Sequence, residues 1–137
     1  MKSLVASALL ATVAQAVSLT FLNDIPVDAN YKIGTDFTLE WKASGAQPTD
    51  TFQLSLFATN TTIKGYSPWG EAEYDSRNII LDGTVKFVDG LYSWPIKPID
   101  EKGEWKGPGF YYSFSTQWTD ADGDIVGESP RSFHIVD

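Results

Sequence analysis

The sequence predicts an all-β protein, on three observations. Apolar residues recur with period two through most of the chain, as in Phe37, Leu39 and Trp41 against Thr38, Glu40 and Lys42. The apolar runs are short and are separated by glycine and aspartate turn residues. After the first sixteen residues, no segment holds a 3.6-residue apolar period for three turns.

The elements follow in order. Met1-Lys2 gives a short positive start, Leu4 to Val13 an apolar run, and Ala14-Gln15-Ala16 small residues at the two positions a signal peptidase reads. Residues 1–16 are therefore expected to be a secretory signal peptide. The run is too short to cross a bilayer, which takes about 20 residues. Residues 17–137 form one domain, because 121 residues suit one compact core and not two. Val17 to Leu22 reads as an opening strand that stops near Pro26. Phe37 to Trp41 is the next, after the turn Lys32 to Asp36. Phe52, Leu54, Leu56 and Ala58 alternate with Gln53 and Ser55. Three shorter runs come next: Ile79 to Leu81, Val85 to Val88 and Leu91 to Ile96. Asp82-Gly83 and Asp89-Gly90 bracket the middle one, and Asp-Gly between alternating segments is a hairpin cue. Phe110, Tyr112, Phe114 and Trp118 alternate with Ser113, Ser115 and Gln117, and Asp120 to Asp124 links this strand to the last, Phe133 and Ile135. The total is about seven or eight strands, which predicts a single sandwich of the immunoglobulin or fibronectin type III kind.

The chain has no cysteine, so a secreted domain of this kind rests on its apolar core alone. The five Trp, six Tyr and eight Phe supply that core. The formal charge is −8, or −9 once Lys2 is removed, which argues against nucleic acid and against anionic membrane surfaces. The closing Arg131 to Asp137 is charged and alternating, so neither a membrane span nor a lipid-anchor signal is expected there.

A resemblance is carried by Gly34, Phe37-Thr-Leu-Glu-Trp41 and Phe52-Gln-Leu-Ser-Leu56, then by Tyr92-Ser-Trp94-Pro95, Gly109-Phe-Tyr-Tyr112 and Glu128-Ser-Pro-Arg-Ser-Phe-His-Ile135. In this order, behind a signal peptide, they resemble the N-terminal immunoglobulin-like domain of the fungal Kre/Knh-type family. That family is Ser/Thr-rich, GPI-anchored and linked to cell-wall β-1,6-glucan synthesis. The resemblance implies the sandwich fold and a fungal extracellular setting. The Ser/Thr-rich stalk, the anchor and the cysteine-bearing C-terminal region of the family have no counterpart in this sequence.

Catalysis is not expected. The only histidine, His134, falls on the outward phase of the last strand, where a surface imidazole is the plain reading. A Ser-His-Asp triad also needs a nucleophile held beside the base. A zinc site draws on several His or Cys ligands. Paired carboxylates could serve a glycosidase, yet the acidic residues cluster in turns such as Asp100-Glu101, and a small sandwich has little material for a deep cleft. Asp120, Asp122 and Asp124 match the first three ligand positions of an EF-hand loop. Ile125 then stands where glycine is needed and Arg131 where the bidentate Glu should be, so a hairpin turn is expected and no metal. No cofactor is expected.

Two features point outward. Asn60-Thr61-Thr62 is an N-glycosylation sequon just after a predicted strand. Tyr66-Ser-Pro-Trp69-Gly and Glu104-Trp105-Lys106-Gly-Pro-Gly109 place rings in turn-rich segments outside the strands. Tyr66, Trp69 and Trp105 are therefore candidate sugar-binding residues, since sugar C–H faces pack on rings while hydroxyls find polar partners. The alternative is that each ring folds back and plugs an end of the core. Two functions follow. One is a secreted, non-catalytic module of the fungal cell wall or extracellular matrix that contacts β-glucan. The other is a secreted, effector-like domain that binds a protein partner through a strand edge or its loops.

Overall fold

The computed structural model describes residues 16–137. The expected signal segment thus lies, apart from Ala16, outside the described residues. Nine strands form: β1 (Ser18–Phe21), β2 (Asn30–Lys32), β3 (Asp36–Ser44), β4 (Thr51–Tyr66), β5 (Ala72–Lys86), β6 (Leu91–Pro95), β7 (Phe110–Thr119), β8 (Ile125–Glu128) and β9 (His134–Val136). One 3-10 turn, Phe87–Asp89, joins β5 to β6, and no α-helix occurs among the described residues.

The strands make two antiparallel sheets, of order β1-β3-β6 and β5-β4-β7-β8, and a short parallel pair of β2 with β9. An isolated bridge between Tyr112 and Phe133 ties the last segment to β7. The all-β sandwich expected from the alternation is present. The core lies between the inward faces, with Leu39, Leu54, Leu56, Tyr112, Phe114, Phe133 and Ile135 fully buried. These are the residues that alternation along β3, β4, β7 and the final strand assigns to the inside. Their rings interlock: Phe114 lies 5.4 Å from Phe37, 5.5 Å from Trp94 and 5.4 Å from Phe133, centroid to centroid. Such pairs add about 0.5–1.5 kcal/mol each beyond the area they bury.

Two buried polar groups fix the ends of this aromatic core. Trp41 donates its indole N–H to the Phe87 carbonyl at 2.9 Å, which anchors the 3-10 turn beneath β3. Tyr112 donates its hydroxyl to the Trp105 carbonyl at 2.6 Å and accepts from the Ile99 amide at 3.0 Å. A buried tyrosine on this strand that bonds back to the preceding connection is a device of immunoglobulin-like sandwiches. Burial holds the Tyr112 hydroxyl above its ordinary value of 10.0, and the charge on Asp100 adds to that, while the Ile99 amide and Arg77 act the other way.

Three details differ from expectation. The runs Ile79–Leu81 and Val85–Val88 belong largely to one long strand, β5, and Asp82-Gly83 is an irregularity within it, not a hairpin. There Asp82 Oδ1 accepts the Thr84 amide at 2.9 Å, so the extra residue is taken up locally while the strand continues. Asp89-Gly90 does turn the chain, with Gly90 at φ 71° closing the 3-10 turn. Asp120 to Asp124 is a hairpin turn, as expected, but it connects β7 to the unexpected β8. Finally, His134 is buried, with 4% of its surface exposed, and is not a surface imidazole. The reason is that its ring packs 4.3 Å from the Tyr111 ring, with Nδ1 2.8 Å from the Phe110 carbonyl and Nε2 3.3 Å from Asp28 Oδ1, so β7 and the Asp28 turn enclose it.

Candidate functional site

The outward-pointing candidates begin with the β4–β5 hairpin. β4 is 16 residues long and β5 is 15, whereas their neighbour β7 has 10. Pairing of β4 with β7 ends at Asn60 and Phe110. Beyond that point only β5 accompanies β4, through Ile63 with Tyr74, Gly65 with Glu73 and Tyr66 with Ala72. The hairpin therefore continues past its neighbour strand as a two-stranded ribbon. Its turn is closed by the Gly70 amide on the Ser67 carbonyl at 2.9 Å and the Ser67 amide on the Glu71 carbonyl at 2.8 Å. Gly70 sits at φ 87°, a conformation that favours glycine. Tyr66 is 65% exposed and Trp69 76% exposed at this tip, with Ile63 and Tyr74 also exposed along the ribbon. A Lys64–Asp75 ion pair at 3.1 Å crosses the two strands.

Trp105 takes the other of the two roles weighed for it. Its ring is buried at 9% exposure, packs 5.1 Å from Phe110 and is covered by the Arg77 guanidinium 4.5 Å from its centroid. Asp100 fixes the backbone beneath it, accepting the Glu104 amide at 2.8 Å and the Trp105 amide at 2.9 Å. Burial pushes the Asp100 carboxyl up, but these hydrogen bonds and the Arg77 charge more than offset it and hold the group below its ordinary 3.8. Trp105 thus plugs the core and presents no free face to a ligand. It does not join Tyr66 and Trp69 in one site.

Asn60 lies within β4, not in a loop, and is half-buried. Its Oδ1 accepts the Thr62 amide at 3.0 Å, which leaves the side-chain nitrogen uncommitted among the described contacts. Asp120, Asp122 and Asp124 have carboxylate oxygens within 4.8 Å of one another. Asp120 Oδ1 is already bonded to the Asp122 and Asp124 amides, both at 2.9 Å, as a turn requires.

Two features were not singled out from the sequence. The first is a small cluster at the edge of the four-stranded sheet. His134 Nδ1–H donates to the Phe110 carbonyl at 2.8 Å, and Nε2 lies 3.3 Å from Asp28 Oδ1. The Tyr111 hydroxyl donates to the same oxygen at 3.0 Å, and the Tyr111 and His134 rings lie 4.3 Å apart. That bond, and then the carboxylate's charge, raises the Tyr111 hydroxyl above its ordinary value. Asp28 adopts φ 56°, where non-glycine residues are uncommon, so the backbone is held in an unusual shape at this contact.

The second is the outer face of the sheet β5-β4-β7-β8. In register, Ile80, Ser55 and Ser115 form one row, then Asn78, Phe57 and Ser113, then Ser76, Thr59 and Tyr111. Gln53, Gln117 and Gly127 form a row on the other side of the first. None of these side chains carries a charge, in a chain of formal charge −8. Asp28 bounds the face beside Tyr111. The outer face of the other sheet has Asp36, Glu40 and Lys42 along β3 alone. Alternation marks each of these residues as outward, but the strand order that sets them side by side comes only from the fold.

No helix among the described residues is long and apolar enough to cross a membrane. No protein-family model matches the sequence, and no curated protein matches it. Among solved structures, the sporulation control protein Spo0M from Bacillus subtilis is similar at a TM-score of 0.45 and 12% identity. The alignment covers 90% of this chain and 50% of Spo0M, so the chain spans about half the length of that protein.

Proposed function

We propose that this protein is a secreted, non-catalytic module of the fungal cell wall or extracellular matrix that contacts β-glucan through the rings of Tyr66 and Trp69. The observation that carries this reading is the pair of exposed rings at the tip of a ribbon that extends past its neighbour strand. Nothing in the described chain packs over them, and a solvated indole in water is costly unless a partner covers it. A pyranose face suits such a ring, and the polar turn residues Ser67 and Glu71 stand beside it for hydroxyls. The resemblance to the Kre/Knh-type domain and the signal-like first sixteen residues support the extracellular fungal setting. In the same reading, Asn60 carries an N-linked glycan, checked by a mass shift on glycosidase treatment that Asn60→Gln abolishes.

The test is retention of the secreted protein on insoluble β-1,3-glucan, β-1,6-glucan, chitin and cellulose. Selective retention on a glucan, lost in Trp69→Ala and Tyr66→Ala with the fold intact, is the expected result. Absence of retention on all four overturns the reading. A second reading, an effector-like domain that binds a protein, is favoured by one observation: β5 is the outer strand of its sheet, long and with an unpaired side. Recovery of one protein partner and no polysaccharide would select it.

A further inference from the structure

The charge-free centre of the outer face of the four-stranded sheet is a surface feature that the hairpin tip leaves unexplained. We infer that this face is the platform along which a neutral polysaccharide chain lies, with the hairpin rings gripping one end of it. The inference rests on the glucan-binding reading and extends it from two rings to a binding path.

Three observations carry it. The first is charge: Asp, Glu, Lys and Arg make up 20% of the chain and reach the outer face of the opposite sheet, yet none stands in the four central rows of this one, where Lys86 opposite Thr51 and Asp28 beside Tyr111 lie only at the two ends. Depletion of charge is the compositional mark of a covered surface. A central strip without ions suits a ligand without ions, because neither side then has a charge to strip of water along it.

The second is chemistry. Ser113, Ser115 and Asn78 offer short hydroxyl and amide groups that both donate and accept, and Phe57 and Tyr111 supply rings in the adjoining rows. A protein-binding patch would be richer in Arg, Met and large apolar groups. Polyhydroxylated rings need this mixture of short two-way hydrogen-bonding groups and flat carbon surface.

The third is shape and continuity. Strands in a sheet lie about 4.8 Å apart and rise about 3.4 Å per residue, so the face spans about 14 Å by 20 Å, room for several pyranose units. Serines lie between the rings, and β4 and β5 run from this face directly into the ribbon that bears Tyr66 and Trp69.

The test compares arginine substitutions on the two outer faces. Ser113→Arg and Ser115→Arg place a long side chain across the proposed path, and Thr38→Arg places the same side chain on the opposite sheet. Retention on the glucan that holds the wild-type protein should fall about tenfold in the first two and stay unchanged in the third, which corresponds to about 1.4 kcal/mol. In parallel, titration of the wild-type protein with a linear oligosaccharide of that glucan should shift backbone amide resonances in β4 and β7 as well as at the hairpin tip. This second measurement needs no variant to fold. If the wild-type protein binds, Trp69→Ala abolishes binding, and both the arginine variants and the β7 resonances are unaffected, the platform is overturned while the glucan-binding reading stands. If the wild-type protein binds no glycan, both fall. If Ser113→Arg instead abolishes a concentration-dependent dimer without altering glucan retention, the face is a self-association surface and the inference is wrong.

Discussion

Trp105 and Trp69 begin alike and end differently. Each sits in a turn-rich segment within three residues of a proline and a glycine, outside any alternating strand. Trp105 has Phe110 beside it, Arg77 over it and Asp100 holding its backbone, so its ring closes the core. Trp69 lies beyond the last residue of β7 that pairs with the hairpin, so the tip has no neighbouring strand to fold against. What decides the fate of a loop tryptophan here is the length of the strand next door, not the composition of the loop.

That comparison can be broken by mutation. Trp105→Ala should cost the most, about 3–5 kcal/mol, because it leaves a cavity at the rim and strips the cover from Phe110. Denaturant unfolding would measure it, and a loss near zero would return Trp105 to the list of surface rings. Tyr112→Phe should come next, at about 1–3 kcal/mol, since it leaves the buried Trp105 carbonyl and Ile99 amide without their partner. Gly127→Ala should cost a similar or slightly smaller amount, about 1–3 kcal/mol, because a Cβ there would land on the Thr116 carbonyl oxygen. Trp69→Ala should change stability by less than about 0.5 kcal/mol while removing glucan retention. A large drop in its melting temperature would mean that the tip supports the fold.

A pH series sharpens the same contrast. The Asp100 carboxyl beneath Trp105 is lowered in the folded protein, so its contribution is fully present above the unfolded value near 3.8 and is lost as pH falls through the lower folded one. Asp100→Asn should flatten that acid limb of the stability curve. Unfolding midpoints measured from pH 2 to 6 would show it, and an unchanged limb would assign the acid sensitivity to other carboxylates. At the alkaline end, Tyr112 is raised, so its contribution is complete below 10.0 and disappears as pH climbs through the folded value.

Much of the fold was legible because alternation depends on neighbours two residues apart. Leu39, Leu54, Leu56, Phe114 and Ile135 are inside where period two puts them. His134 escapes the same rule, because alternation assumes that one side of a strand meets water and here Tyr111 and Asp28 enclose the ring. Asp82-Gly83 was misread as a hairpin because the dipeptide fits both a turn and a bulge, and only the continuing β4 partner selects the bulge. Of the candidate site, Tyr66 and Trp69 were legible as rings in a turn. Their separation from Trp105 was not, since it depends on where β7 stops. The uncharged face was legible strand by strand, in Gln53 and Ser55 and in Ser113, Ser115 and Gln117, but its extent needed the strand order.

The hydroxyl of Tyr112 has one further consequence. It clamps the connection into β7 with two hydrogen bonds in a chain that has no cysteine. Its clamp cannot be reduced, shuffled or formed in the wrong pairing. The domain should therefore fold equally well in oxidising and reducing surroundings, need no thiol exchange to mature, and keep its shape where thiols would open a disulfide-bonded sandwich.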